Sequence, residues 1–257
     1  MNFKQLKYYV LPAFFLLSFF TFAGKIPVWI LFLSLFFIIN TLVIGSIFIQ
    51  YNFYIHSICS VQEFPDFKNS YPDEKRICLT FDDGIHRINT PKTLQILKEK
   101  NVKAHFFLIG KNIIGNEDIL REMQHEQHVI GNHSYYHHWN FDLQSSEQML
   151  SEIIHTNQLI EKTIKQKITL FRPPYGVTNP NLSKAIQQSN LKSMGWNLRS
   201  MDTTAKSKEK LLQKLIRKTK PNCIVLLHER CDLTVEVLTE YIEYCQQQGY
   251  KFVTLNS

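Results

Sequence analysis

Cysteine is scarce and unpaired in pattern: five occur in 257 residues, an odd number, and no two form a CxxC. That argues against a disulfide framework. Cys78 and Cys223 lie in apolar runs and read as buried small hydrophobes, which leaves Cys231 with Cys245 as the one pair worth testing. Internal repeats and low-complexity tracts are also absent. The chain carries 29 Lys+Arg against 22 Asp+Glu, a formal charge of +7 and a pI near 9.1. Such an excess suits an anionic surface or polymer. Yet no dense basic run accompanies a nucleic-acid module, so nucleic acid is set aside as a partner. A secretory signal is argued against too, because the basic start at Lys4 and Lys7 leads to no short apolar core with a cleavage site.

What is present divides near residue 50. Residues 8–23 are largely apolar, interrupted at Pro12 and Ser18 and again at Thr21, and residues 26–49 form a longer apolar stretch. The second can span a bilayer, which needs about 20 residues; the first is marginal. Residues 1–50 therefore read as a membrane hairpin that turns at Gly24-Lys25. Residues 51–75, of mixed charge and without a sustained period, read as a linker, and residues 76–257 as the catalytic domain.

In that domain short apolar or β-branched runs alternate with amphipathic ones. Strands are expected at 76–81, 103–109, 128–132, 168–171, 191–196, 223–227 and 251–255. Helices are expected at 91–100, 116–125, 145–165, 179–189, 206–219 and 234–248. Thr90-Pro91 resembles an N-cap followed by proline at the first helical position, and Ser145 with Gln148 a capping box. The alternation predicts an α/β fold with a parallel sheet. Seven strands suggest a distorted (β/α) barrel, with an open doubly wound sheet as the alternative.

The chemistry-bearing residues follow the strands. Asp82-Asp83-Gly84 ends the first, and two adjacent carboxylates repel unless a cation intervenes. Glycine lets the chain turn so that both face one pocket. One carboxylate can then bind metal while the other takes a proton from water. His133 and His137, four apart, share a face if helical and with one Asp make a two-His, one-carboxylate triad. That set suits zinc, and also cobalt, manganese or iron. Arg172, in a loop stiffened by Pro173 and Pro174, can hold a carboxylate in register. His228 follows a buried run, and Asp202 offers it a partner that keeps it protonated. His105, His125, His128 and His155 read as surface residues, His86 and His138 as residues of the rim.

Five fragments, TFDDG (80–84), HSYYH (133–137), RPPYG (172–176), WNLRSMD (196–202) and LLH (226–228), occur in this order. With TPKTLQILKEKNVKAHFFLIG (90–110) they resemble the polysaccharide deacetylase family, also called carbohydrate esterase family 4 or NodB-homology enzymes, over roughly 76–255. The resemblance implies a distorted (β/α) barrel and metal-dependent removal of N-acetyl groups from aminosugars, here those of a cell-envelope glycan. It implies Asp82 as catalytic base, Asp83, His133 and His137 as metal ligands, and Arg172 as the residue orienting the base. It further implies Tyr175 as donor of an oxyanion-binding N–H, His228 as general acid tuned by Asp202, and Trp196 and Leu226 as walls of the acetyl pocket. The chain departs from the family pattern at Ile85, His105, Arg199 and Thr203, positions that bear on substrate contacts. Two other functions fit the residues: an O-acetyl esterase on an acetylated polysaccharide, and a silent membrane-bound glycan-binding protein. The expected location is the cell membrane with the catalytic domain facing the envelope; no residue pattern sets an oligomeric state.

Overall fold

The computed structural model describes residues 1–67 and 74–255. Its centre is one parallel sheet in the order β1-β6-β5-β4-β3-β2-β8-β7, with β9 beside β2. The strands are β1 (Ser57–Ile58), β2 (Arg76–Gly84), β3 (His105–Leu108), β4 (Val129–Asn132), β5 (Leu170–Phe171), β6 (Lys192–Met194), β7 (Leu198–Arg199), β8 (Cys223–His228) and β9 (Lys251–Phe252). All seven expected strands are present, joined by two that the sequence pattern did not reveal, β1 and β7. β6 and β7 sit near opposite ends of this order, yet three residues connect them. An extended chain gains at most about 3.6 Å per residue. The sheet must therefore curl until its ends nearly meet, which is the incomplete barrel that seven strands suggested.

Six longer helices cover the outside: Asn89–Glu99, Glu117–His125, Ser146–Ile164, Pro180–Ser189, Lys208–Lys218 and Asp232–Gln247. Each sends an apolar stripe inward, for example Leu211 and Leu215, or Met149, Ile153, Ile160 and Ile164, as the 3.6-residue period requires. The Ser145–Gln148 capping box is formed. The first of these helices differs from expectation, because it starts at Asn89 and Thr90 is not its cap. The Thr90 hydroxyl instead accepts from the His86 N–H and donates to Glu229.

Residues 51–67 were read as linker but are packed. Their strand β1 pairs with β6, and Val61 and Phe64 are fully buried. Residues 68–73 of that stretch lie outside the described residues. The apolar amino-terminal segments form two helical rods, Phe3–Phe22 (α-helical with one π turn at Leu6–Val10) and Val28–Ile47, each 20 residues long. At 1.5 Å per residue, that gives about 30 Å, the thickness of a bilayer core. The two are equally long, but the first is much the less apolar and carries Lys4 and Lys7. Phe15, Phe19, Phe22, Trp29, Phe32 and Phe36 are all exposed on these rods, a larger apolar surface than a soluble monomer ordinarily presents. Phe3 N–H donates to the Phe53 carbonyl at 2.9 Å, so the first rod starts beside the segment that follows the second. All five cysteines are free, including Cys231 and Cys245.

Candidate active site

Parallel register sets the site. β2 and β8 are paired so that Asp82 lies opposite His228, and β4 pairs with β5 through Asn132 and Phe171, which brings His133 beside Arg172. Asp82 lies near the end of its strand, His228 ends its own, and His133 and Arg172 follow theirs, all at the carboxyl edge of the sheet, where barrel enzymes gather their polar side chains.

Arg172 is the best-held residue of the group, with no exposed surface. Its Nη1 donates to Asp82 Oδ1 and to Thr80 Oγ1, both at 2.7 Å. Nε and Nη2 donate to the carbonyls of Met194 and Gly195, and the guanidinium lies over the Phe107 ring at 4.1 Å. Asp82 thus keeps one oxygen tied and the other turned to the pocket, where Oδ2 is 3.8 Å from His133 Nε2.

Asp83, His133 and His137 present ligand atoms all within 4.8 Å of one another. His133 Nδ1 donates to the Arg172 carbonyl at 2.7 Å, which fixes its tautomer and points Nε2 inward, a common arrangement for a metal-binding histidine. The sequence reading put His133 and His137 on one helical turn. They are instead brought together by a loop in which Ser134 and His137 have φ of 65° and 54°. The loop is pinned by Glu152, which accepts from the N–H groups of Tyr135 and Tyr136. Burial, and then the neighbouring His133, pushes the His137 pKa down to about 4. Its ring is therefore neutral and has a lone pair to offer a cation. Burial alone would raise the Asp83 carboxyl, but His133, His228, His137 and the Arg230 hydrogen bond together hold it below its ordinary value. An anion between two imidazoles is a donor set that suits a transition-metal dication, and the three residues fit one.

Across the pocket, His228 Nδ1 donates to Asp202 Oδ1 at 2.8 Å, and the His228 N–H reaches Asp202 Oδ2 at 2.7 Å. Thr234 and the Thr203 N–H complete the cradle. Burial would lower the His228 pKa, but the Asp202 hydrogen bond and charge, with Asp82 and Asp83, raise it. Trp196, Leu226 and Gly176 line a cavity of about 130 Å³ between the two groups. Gly176 has φ +71°, and a Cβ there would strike the Trp196 ring. Tyr175, also left-handed at φ 58°, packs its ring on His137 at 4.6 Å.

Three participants were missed by sequence reasoning. Arg230 Nε donates to Asp83 Oδ2 at 2.8 Å, and Thr80 braces Arg172. Glu229 is buried directly beneath the Asp82–Gly84 turn, its N–H donating to the Asp82 carbonyl at 3.0 Å. Position 84 is glycine because a Cβ would overlap the Glu229 carboxylate; the left-handed residue of this turn is Asp83, with φ 69°. Glu229 and Arg230 follow His228 directly, so their proximity to the site was the available signal. Two histidines were misplaced. His105 and His128 are buried: His105 opens the central strand β3, and His128 packs against Phe106 and accepts from the Ala104 N–H. Burial takes the His105 pKa to about 3.

Fold and site together define a curled parallel α/β sheet whose carboxyl edge gathers Asp83, His133 and His137, close enough to share one cation, between Asp82 and His228. A sequence profile of the polysaccharide deacetylase family matches residues 69–194. The peptidoglycan-N-acetylglucosamine deacetylase PgdA of Listeria monocytogenes is 31% identical over 203 residues, 79% of this chain and 42% of that protein. The peptidoglycan-N-acetylmuramic acid deacetylase PdaA of Bacillus subtilis is 30% identical over 200 residues, 76% of each chain. Among solved structures, a CE4 family pseudoenzyme from Bacillus anthracis superposes with a TM-score of 0.66 at 31% identity, covering 71% of this chain and 64% of that one. The chain belongs to the polysaccharide deacetylase family. It spans less than half the length of the Listeria relative.

Proposed function

We propose that the chain is a metal-dependent hydrolase that removes N-acetyl groups from the aminosugars of a cell-envelope glycan, peptidoglycan first among them. One observation carries the reading: Asp82, held by Arg172, and His228, held by Asp202, face one cavity across a triad built for a cation. A protein that only binds glycan has no use for both.

Asp83, His133 and His137 would hold the ion, with zinc the best match to the donors and cobalt, manganese or iron as substitutes. When bound, it would supply Lewis acidity to an acyl carbonyl and to the attacking water. Asp82 takes the proton from water at Oδ2, the oxygen that Arg172 leaves free. The Tyr175 N–H, in a left-handed turn of the kind often found at ligand sites, donates to the developing oxyanion. His228 protonates the departing amine, and Asp202 keeps it charged until then. Trp196 and Leu226 confine the methyl of the acyl group.

Two other readings are favoured by particular observations. An O-acetyl esterase needs the same site and differs in its leaving group. A silent binder is favoured by the pseudoenzyme relative. Acetate release is measured side by side on chitooligosaccharide, peptidoglycan and acetylated xylan, with metal content by elemental analysis. Release from the first two supports the proposal. Release from xylan alone supports the esterase, and a protein that takes up no divalent ion when supplied supports the binder.

Residues 1–50 serve as an integral membrane anchor and residues 76–257 as the catalytic domain, which we place on the envelope side, where the named relatives' peptidoglycan lies. Lys4 and Lys7 favour the opposite side, because basic residues are retained in the cytoplasm and the hairpin returns the catalytic body to the side of its amino terminus. Protease added to cells with an intact inner membrane separates the two. Digestion of the catalytic domain supports the outward placement, and survival until that membrane is broken supports the inward one.

A further inference from the structure

The last turn of the second apolar helix is bolted to the wall of the catalytic pocket. Ser46 Oγ donates to the Thr178 carbonyl at 2.6 Å, and Thr178 N–H donates to the Ser46 carbonyl at 3.0 Å. Gln50 Nε2 donates to the carbonyl of Trp196 at 3.0 Å, and Ile49 is buried against Gly195. Trp196 lines the cavity, and Thr178 lies two residues beyond Gly176, which lines it too.

The next residue, Asn179, carries the connection onward. Its Nδ2 donates to the Asp142 carbonyl at 2.6 Å, and Asn181 Nδ2 donates to the Gln144 carbonyl at 3.0 Å. These bonds and the buried Phe141 fix the loop of residues 136–144 beside the helix end. The loop nevertheless holds Trp139 with 78% of its surface exposed and Leu143 with 74%. Neither side chain can be there to fill the core. A helix of 20 apolar residues that crosses a bilayer has its final turn at the boundary between hydrocarbon and headgroups. Tryptophan is enriched at that depth.

We propose that the loop of residues 136–144 rests on the membrane, with Trp139 and Leu143 seated in the interfacial layer beside the exit of the second helix. Tyr136 and His137, in the same loop, border the pocket entrance, so the active site opens next to the bilayer and takes glycan within reach of it. The proposal rests on the hairpin being a membrane anchor, and the experiment reads the two separately. The protein has three tryptophans. Trp29 is exposed on the second helix, Trp139 on the loop, and Trp196 is buried.

Full-length protein, Trp29→Phe and Trp139→Phe are reconstituted in phosphatidylcholine vesicles with and without brominated phosphatidylcholine, and tryptophan fluorescence is compared. Both substitutions are at exposed positions and leave the fold intact. The proposal expects each substitution to remove a quenchable component. If Trp29→Phe removes one and Trp139→Phe removes none, the anchor stands and the loop proposal is overturned. If neither removes one, anchor and loop proposal fall together. Quenching of the Trp139 component alone overturns the anchor, and with it the proposed seat beside the exit of the second helix.

Discussion

Glu229 gives the most quantitative prediction. Its side chain is fully buried under the turn that carries Asp82 and Asp83. Burial first, and then the charges of Asp83 and Asp82, raise its pKa from 4.5 to about 8 against the lowering effect of the Thr90 hydrogen bond. The folded chain therefore keeps a proton that the unfolded chain releases above pH 4.5. For a carboxyl with a raised folded value, stability falls as pH rises, by about 1.4 kcal/mol per pH unit between the two values. The accumulated loss is about 3 kcal/mol at pH 7 and about 5 kcal/mol once pH exceeds the folded value. Glu229→Gln keeps the shape and removes the ionisation. In chelated protein, variant and parent should melt within a few degrees of each other at pH 4.5. Toward neutral pH the variant should pull ahead, by about 6–12 °C at pH 7, taking about 2–4 °C per kcal/mol for a domain of this size. Melting curves that stay parallel from pH 4.5 to 8 would refute the assignment of a neutral carboxyl at this position.

Arg172→Met leaves Asp82 buried without its partner and should destabilise the protein by about 3–5 kcal/mol in thermal melts. Adding Asp82→Asn should recover part of that loss, since no buried charge then remains; no recovery would contradict the pairing. Asp202→Asn removes the main influence that raises the His228 pKa. The alkaline limb of the kcat/KM profile should move to lower pH, because His228 loses its proton sooner, and an unmoved limb would take His228 out of the acid role. The same pair shapes stability in opposite directions. The raised His228 contributes stability at low pH that is lost as pH rises through its folded value. The depressed Asp202 contributes stability at higher pH that is lost as pH falls through its own.

The legibility of this chain follows from how local each signal is. β2, β3, β4 and β8 are buried strands of four to nine residues, each built around an apolar run such as Ile77–Leu79, Phe106–Leu108 or Cys223–Leu227. β1 and β7, two residues each, are too short to show any period, and only the curl of the sheet explains them. Packing of residues 51–67 against β6 and β8 was invisible for the same reason, since apolar residues such as Ile58, Val61 and Phe64 follow no sustained helical or strand period. The site residues were legible because each follows a strand and its chemistry is intrinsic to its residue type. What brings His133 to His137 was not, because left-handed φ at Ser134 and His137 leaves no compositional trace. Glu229 was overlooked because a charged residue after a motif is ordinarily on the surface, and only the missing Cβ of Gly84 makes room for it.

The central claim is that Asp82 acts as base beside a metal held by Asp83, His133 and His137. Asp82→Asn, measured for acetate release from chitooligosaccharide and for bound divalent ion in the same preparation, tests it directly. The account predicts turnover reduced by about 10²–10⁴-fold, the usual contribution of a general base, with metal content unchanged. Undiminished acetate release from the metal-loaded variant would contradict it.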